Sequence, residues 1–168
     1  MRNLMKKWYV LYVNVRHEKK VMERLLDMNH EAFVPFAKQV KQWSDRKKVI
    51  ESPLFTGYVF VKLTEHEFDK PLYVPGVLNY LRFSNQYAIV KDEEIESLKF
   101  FIEKGYNLEL DSTELIAGQK VKVMLSQFKD MLASVNEVHD KNYVTVVFEG
   151  IQKNIRLKAP ASALKIIQ

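Results

Sequence analysis

The side chains that could perform catalysis are few and scattered along the chain. The five glycines lie too far apart to form a phosphate-binding loop, and no serine occupies a GxSxG elbow. The acidic run Asp92–Glu94 is better explained as a helix start, where carboxylates favour the macrodipole. The histidines form no HExxH or HxH pair that could hold a metal ion; they are His17, His30, His66 and His139. We therefore expect no catalytic residue, no metal site and no cofactor.

Aromatic side chains concentrate around one apolar segment, Tyr58–Leu63. Tyr58 and Phe60 would point to the same face, because side chains alternate along a strand. Phe55 precedes them, and Tyr12 lies on an earlier apolar segment that we expect to neighbour this strand. Two interpretations stay open. The aromatic rings either form core, or line a sheet face that two helices cannot fully cover and that could receive a partner's helix.

Basic residues line one face of the helix predicted after the first strand. Lys20 and Arg24 are four residues apart and therefore neighbours on that face. Because acidic residues interleave with them, the face is either an ordinary solvated surface or a phosphate-binding surface. Phosphate contacts would be independent of sequence and sensitive to salt. The candidates are Arg16, His17, Lys19, Lys20 and Arg24.

A second basic segment, residues 38–48, surrounds Trp43 and is typical of a projecting hairpin or loop. It has five cations against the single acid Asp45; they are Lys38, Lys41, Arg46, Lys47 and Lys48. The whole chain has a net charge of +5 and a pI near 9.2. This distribution favours an acidic partner, since a basic arm can orient a protein in a polyanion's field.

Composition indicates an ordinary globular chain. Its 168 residues suffice for two small domains, and 47% hydrophobic and 28% charged residues argue against disorder. The absence of cysteine excludes disulfides and thiolate sites. No apolar run approaches the ~20 residues of a membrane span, and the basic N-terminus lacks a signal-peptide pattern. We expect a cytoplasmic monomer without membrane contact.

Hydrophobic periodicity predicts an α/β sandwich over residues 1–105. Trp8–Val13, apolar on both faces, is a predicted central strand. The helix predicted for Arg16–Asn29 has an apolar stripe of Val21, Leu25 and Met28. Further strands, and a last helix after Val90, complete a four-stranded antiparallel sheet flanked by helices. These further strands are Glu31–Pro35, Tyr58–Leu63 and Val77–Phe83, and a separate short strand is predicted at Tyr87–Val90.

After Gly105 no helical stripe recurs, and short strand candidates alternate with turns, including a tight turn at Glu149-Gly150. Five short strands in about fifty residues predict a small barrel over residues 118–168, joined by a linker at 106–117. The predicted strands are Val121–Met124, Val135–Val138, Tyr143–Phe148, Ile151–Leu157 and Leu164–Ile167.

Five segments follow one another along the chain: Trp8–Tyr12, Pro53–Val61, Pro75–Val77, Ile89–Ile95 and Gly118–Val123. In this order they resemble NusG-family transcription factors. The resemblance implies an α+β fold, with a NusG-type N-terminal domain and a five-stranded KOW-type β-barrel. The Trp43–Lys48 segment and the Pro-Leu-Phe sequence at residues 53–55 are closest to specialised RfaH/UpxY-like paralogues. Of these paralogues, the UpxY proteins regulate capsule operons.

The resemblance also implies a mechanism. The N-terminal domain would dock on the clamp helices of bacterial RNA polymerase, with the Glu65–Pro75 loop facing the opposite lobe, and suppress pausing or termination. The basic helix face would approach non-template DNA. Through Phe128, the barrel would recruit ribosomal protein S-ten or Rho. The implied polymerase contacts are Tyr12, Leu54, Phe55, Tyr58 and Phe60.

Two other functions stay open beside this specialised antitermination factor. One is a housekeeping NusG. The other is a free-standing RNA- or ribosome-binding KOW protein, for which an exposed aromatic patch would have little use.

Overall fold

A computed structural model describes residues 4–105, 108–111, 119–123, 132–138, 141–158 and 164–166. The chain has an α+β fold of antiparallel sheets with few helices. It divides into two compact units: Met1–Pro35 with Phe55–Asp92, and Phe36–Leu54 with Glu93–Gln168. The division into residues 1–105, a linker and residues 118–168 stays a prediction. Within the described ranges, no helix has the length and apolar character that crossing a bilayer requires.

The sheet of the first unit is built around the strand β1, Lys7–Val13. One edge of β1 pairs with β5, Tyr58–Leu63, and β2, Glu31–Phe33, pairs with the far edge of β5. The other edge of β1 is shared by β6, Val77–Tyr80, and β9, Ile89–Val90, so the predicted four-stranded sheet has a fifth strand. All pairings are antiparallel. The central position predicted for Trp8–Val13 is confirmed.

The helix α1, Glu18–Asp27, is shorter than the predicted Arg16–Asn29. Arg16 and Asn29 both have left-handed backbone (φ 70° and 63°), which cannot continue a helix. The predicted stripe is confirmed at Val21 and Leu25, which are fully buried, whereas Met28 lies beyond the helix and is exposed.

The strand predicted for Val77–Phe83 is interrupted at Leu81. Arg82–Phe83 (β7) instead turns back onto Gln86–Tyr87 (β8) in a small hairpin. Ser84 and Asn85 have φ values of 48° and 65°, as a two-residue type I′ turn requires. Neither residue is glycine, so the usual sequence mark of this turn is missing.

The second unit contains a hairpin, the helix α2 and a six-stranded sheet. The hairpin pairs β3, Phe36–Gln42, with β4, Lys47–Pro53, as the Trp43 segment predicted. The helix predicted after Val90 is α2, Asp92–Glu103, and it buries Ile95, Leu98 and Phe101.

The six-stranded sheet has the order β10-β14-β13-β12-β11-β15. Strands occur at all five predicted places after Gly105, while β10 lies inside the predicted linker 106–117. Closure into a KOW barrel stays a prediction. The Glu149-Gly150 turn extends as a 3-10 turn to Ile151, so β14 begins two residues later than predicted. The strands are β10 Leu108–Asp111, β11 Gln119–Val123, β12 Leu132–Val138, β13 Lys141–Phe148, β14 Lys153–Lys158 and β15 Leu164–Ile166.

Candidate functional site

The structure brings the aromatic candidates of the first unit into one cluster. Tyr12 on β1 lies directly opposite Tyr58 on β5, and their ring centroids are 5.5 Å apart. Phe55 stacks on Tyr58 at 6.0 Å and meets the ring of Phe60 edge-on at 5.9 Å. We call these four residues the aromatic cluster. The prediction that Tyr58 and Phe60 share a face of their strand fits this arrangement, and the strand of Tyr12 is its neighbour as expected.

Burial separates Tyr12 from the other candidates. Tyr12 exposes 45% of its surface, whereas Tyr58 exposes 8%, Leu54 5%, Phe55 2% and Phe60 none. The expectation that Phe55, Tyr58 and Tyr12 are exposed together is therefore wrong. Its physical reason is that β5 is buried on both faces, so the rings beneath Tyr12 serve as core.

The buried phenol of Tyr58 is held neutral. Burial raises the pKa of Tyr58 above its usual value, and the neighbouring phenol of Tyr12 raises the pKa further. The exposed Tyr12 ring is therefore supported by the uncharged, buried ring of Tyr58.

Gly57 fixes the backbone directly after Tyr12. Its φ of 79° is left-handed, and an added Cβ would lie 3.2 Å from the carbonyl oxygen of Val13. The Val13 N–H donates to the Gly57 carbonyl at 2.8 Å, and the Gly57 N–H donates to the buried Glu18 carboxylate at 2.8 Å. These bonds tie the end of β1 to the first turn of α1, so Tyr12 has a rigid base.

The basic candidates divide into two groups. Arg16, His17, Lys19 and Lys20 are exposed around the N-terminal end of α1. Arg24 is only partly exposed, and its guanidinium donates a 2.7 Å hydrogen bond to the Pro75 carbonyl. Arg24 therefore anchors the loop before β6, and the exposed basic surface consists of the other four residues.

Among the residues that the structure describes, the two most exposed aromatic side chains were absent from the predicted contact residues. Tyr73, in the 3-10 turn Lys70–Tyr73, exposes 86% of its surface, and Trp43, at the tip of the β3–β4 hairpin, exposes 54%. The sequence does not indicate whether a single aromatic side chain is exposed, so only the structure distinguishes these two residues from the buried aromatic ones. Phe128, the predicted partner contact of the barrel, lies outside the described residues.

Metal ligands do not converge in the described part of the chain, where no three His, Asp or Glu side chains gather as a cation site. The arrangement offers surfaces for binding: one anchored tyrosine, one basic helix end and one basic hairpin.

Comparison with known proteins identifies the family. The model of the NusG family, described as "Transcription termination factor nusG", matches residues 6–99. The transcription termination/antitermination protein NusG of Chlamydia pneumoniae is 29% identical, over 91% of this chain and 90% of its own length. The NusG of Neisseria meningitidis serogroup B is 26% identical, over 91% and 94%. A solved structure of Thermotoga maritima NusG shares the fold with a TM-score of 0.56 at 20% identity, covering 97% of this chain and 98% of that one. The chain belongs to the NusG family of transcription termination and antitermination factors.

Proposed function

We propose that this protein is a specialised antitermination and elongation factor that binds the clamp helices of bacterial RNA polymerase and suppresses pausing or termination on polysaccharide capsule operons. Membership of the NusG family supports a role with the polymerase in the cytoplasm. A housekeeping NusG fits the family membership equally well. Mapping the protein on the chromosome separates the two, because a housekeeping factor would be found on most transcribed genes and a specialised one on a few operons.

The polymerase-binding proposal rests on one observation: the Tyr12 ring is exposed and packs on the buried rings of the aromatic cluster. A ring held by Tyr58 beneath it and by the Gly57 backbone beside it loses little conformational entropy on binding. Tyrosine, with tryptophan and arginine, is enriched among the few residues that contribute most of the binding energy of a protein interface. In this proposal Tyr12 is the direct contact, and the buried rings of Phe55, Tyr58 and Phe60 support it from below. Leu54 is also buried, so it is not a direct contact.

We expect Tyr12→Ala to weaken binding to core RNA polymerase about 30-fold or more, as loss of an interface hot spot of ~2 kcal/mol does. The measurement is the Kd of the full-length chain for core polymerase by biolayer interferometry. Ile89→Ala is the matched control. Ile89 exposes the same 45% of its surface but pairs with Tyr9, whose side chain points to the opposite face of the sheet.

Equal weakening by Tyr12→Ala and Ile89→Ala would reject Tyr12 as the anchor. Complete failure of the unaltered chain to capture polymerase would favour the RNA- or ribosome-binding alternative.

We further propose that the exposed basic end of α1 contacts non-template DNA. Cations at a helix N-terminus oppose the macrodipole, yet Arg16, Lys19 and Lys20 cluster there. The one acid of the first turn, Glu18, is buried and bonded to Gly57, so it does little to offset them at the surface. A bound phosphate would relieve this repulsion, which supports an anionic partner.

We expect Lys20→Glu to lower the affinity for single-stranded DNA and to reduce the slope of log K against log salt by about 0.7. Lys70→Glu changes the net charge equally at another exposed lysine of the same unit and should leave the slope unchanged. Fluorescence anisotropy at four salt concentrations measures both. Identical slopes for the two variants would show that the α1 end is inert.

The role proposed for the C-terminal strands is recruitment of ribosomal protein S-ten or Rho through Phe128. This proposal is supported by the resemblance of Gly118–Val123 to the start of a KOW domain.

A further inference from the structure

The β3–β4 hairpin extends into solvent at its tip. All residues from 41 to 49 are exposed, among them Trp43 and Val49, which expose 54% and 62% of their surfaces. A large apolar ring at the end of a hairpin gains nothing for stability when water surrounds it. The position of Trp43 therefore calls for a function other than core packing.

Strand register places Trp43 together with cations. Lys41 pairs with Lys48, and Trp43 and Arg46 exchange two backbone hydrogen bonds of 2.8 and 3.3 Å. Directly paired residues of an antiparallel ladder point to the same face, and so do residues two apart on one strand. One face of the tip therefore presents the Trp43 ring with three positive charges, whereas Lys47 and Val49 lie on the other face.

This arrangement is unfavourable for the hairpin itself. Like charges directly opposite each other, such as Lys41 and Lys48, destabilise a strand pair. The acid Asp45 sits in the turn, outside the paired positions. Local rules broken without an internal compensation mark functional surfaces. At the hairpin tip, a ligand that brings negative charge next to the Trp43 ring would neutralise these cations.

We propose that this face of the hairpin, formed by Lys41, Trp43, Arg46 and Lys48, binds single-stranded nucleic acid, with an unpaired base stacked on Trp43 and the flanking phosphates bound by the three cations. Single-stranded nucleic acid is the polyanion that offers an accessible base face beside its phosphates, whereas a duplex hides its base faces by stacking. The surface lies on a different element from the basic end of α1, and it stands independently of polymerase binding.

The test is the affinity of the full-length chain, without polymerase, for a labelled 12-nucleotide RNA and for DNA of the same sequence. We expect Trp43→Ala to weaken binding about tenfold, in the range measured for losing one base–aromatic stack. Val49→Ala is the matched control, since it removes an exposed apolar side chain from the opposite face and should bind as the unaltered chain does.

The charge arm compares two neighbouring lysines. Lys48→Ala should reduce the salt slope by about 0.7, and Lys47→Ala, on the other face, should change it less. Circular dichroism is the control for folding, and each variant should be folded because the substituted positions are exposed.

Tryptophan fluorescence gives an independent reading of stacking. The chain has two tryptophans, and Trp8 is 3% exposed, so quenching on binding should come from Trp43 and disappear in Trp43→Phe. Binding of the RNA, of the DNA or of both supports the proposal and shows which kind of single strand the hairpin prefers. Unchanged affinity of Trp43→Ala, or equal affinity for a duplex of the same sequence, would overturn it.

Discussion

Replacing Phe60 by alanine should lower the free energy of unfolding by about 3–5 kcal/mol, the usual cost of truncating a buried phenylalanine. Phe60 is fully buried on β5, opposite Val10 of the central strand, and its ring contacts those of Phe55 and Phe33. Removing it would leave a cavity at the centre of the first unit. Urea denaturation followed by circular dichroism measures the change.

Tyr73→Ala is the matched control for this truncation, because Tyr73 exposes 86% of its surface and should change stability by less than ~0.5 kcal/mol. Phe60→Leu keeps most of the volume and should cost clearly less than Phe60→Ala. A loss below ~1 kcal/mol for Phe60→Ala would mean that the ring does not pack as described. The same reasoning applies to Phe55, so binding lost in Phe55→Ala would report on folding rather than on contact.

Glu18→Ala should have the second largest effect, a loss of about 2–3 kcal/mol at neutral pH. The Glu18 side chain is 3% exposed, and its carboxylate accepts the hydrogen bond from the buried Gly57 N–H. Alanine would leave that donor without its acceptor, and an unsatisfied buried donor costs ~1–3 kcal/mol in addition to the lost charge-assisted bond. Thermal and urea unfolding of the full chain measure the loss.

Two variants separate this bond from general effects of charge. Glu23→Ala removes an exposed carboxylate from the same helix and should change stability by less than ~0.5 kcal/mol. Glu18→Gln keeps an acceptor oxygen and should recover part of the stability. If Glu18→Ala and Glu23→Ala were equally stable, the tie between α1 and the Gly57 turn would contribute nothing.

Periodicity predicted the elements whose environment is uniform along their length. The apolar run Trp8–Val13 predicted a strand buried on both faces, which holds for all of its residues except Tyr12, and the spacing of Val21 and Leu25 predicted a buried helix face. Period-two alternation also predicted correctly that Tyr58 and Phe60 share a face. These features follow from local geometry, which the sequence determines directly.

Exposure and turn chemistry could not be predicted in the same way. Phe55 in the bend before β5 and Tyr12 on β1 are both aromatic, yet one is 2% and the other 45% exposed, because tertiary packing decides what covers each ring. Glu18 is one of the acidic residues that interleave with the basic ones on α1, and its role as a buried acceptor depends on Gly57, 39 residues away. Ser84 and Asn85 adopt left-handed backbone without a glycine.

The pairing of β1 has a consequence for the order in which the chain folds. Its partners in the sheet are β5, β6 and β9, so the first of them begins at Tyr58, 45 residues beyond Val13. At ~5–20 residues per second of synthesis, β1 waits roughly 2–9 s for that partner. During this interval Trp8–Val13 is an unpaired apolar strand, the kind of segment that aggregates or binds chaperones. Productive folding of this protein therefore depends on protecting its first strand during translation.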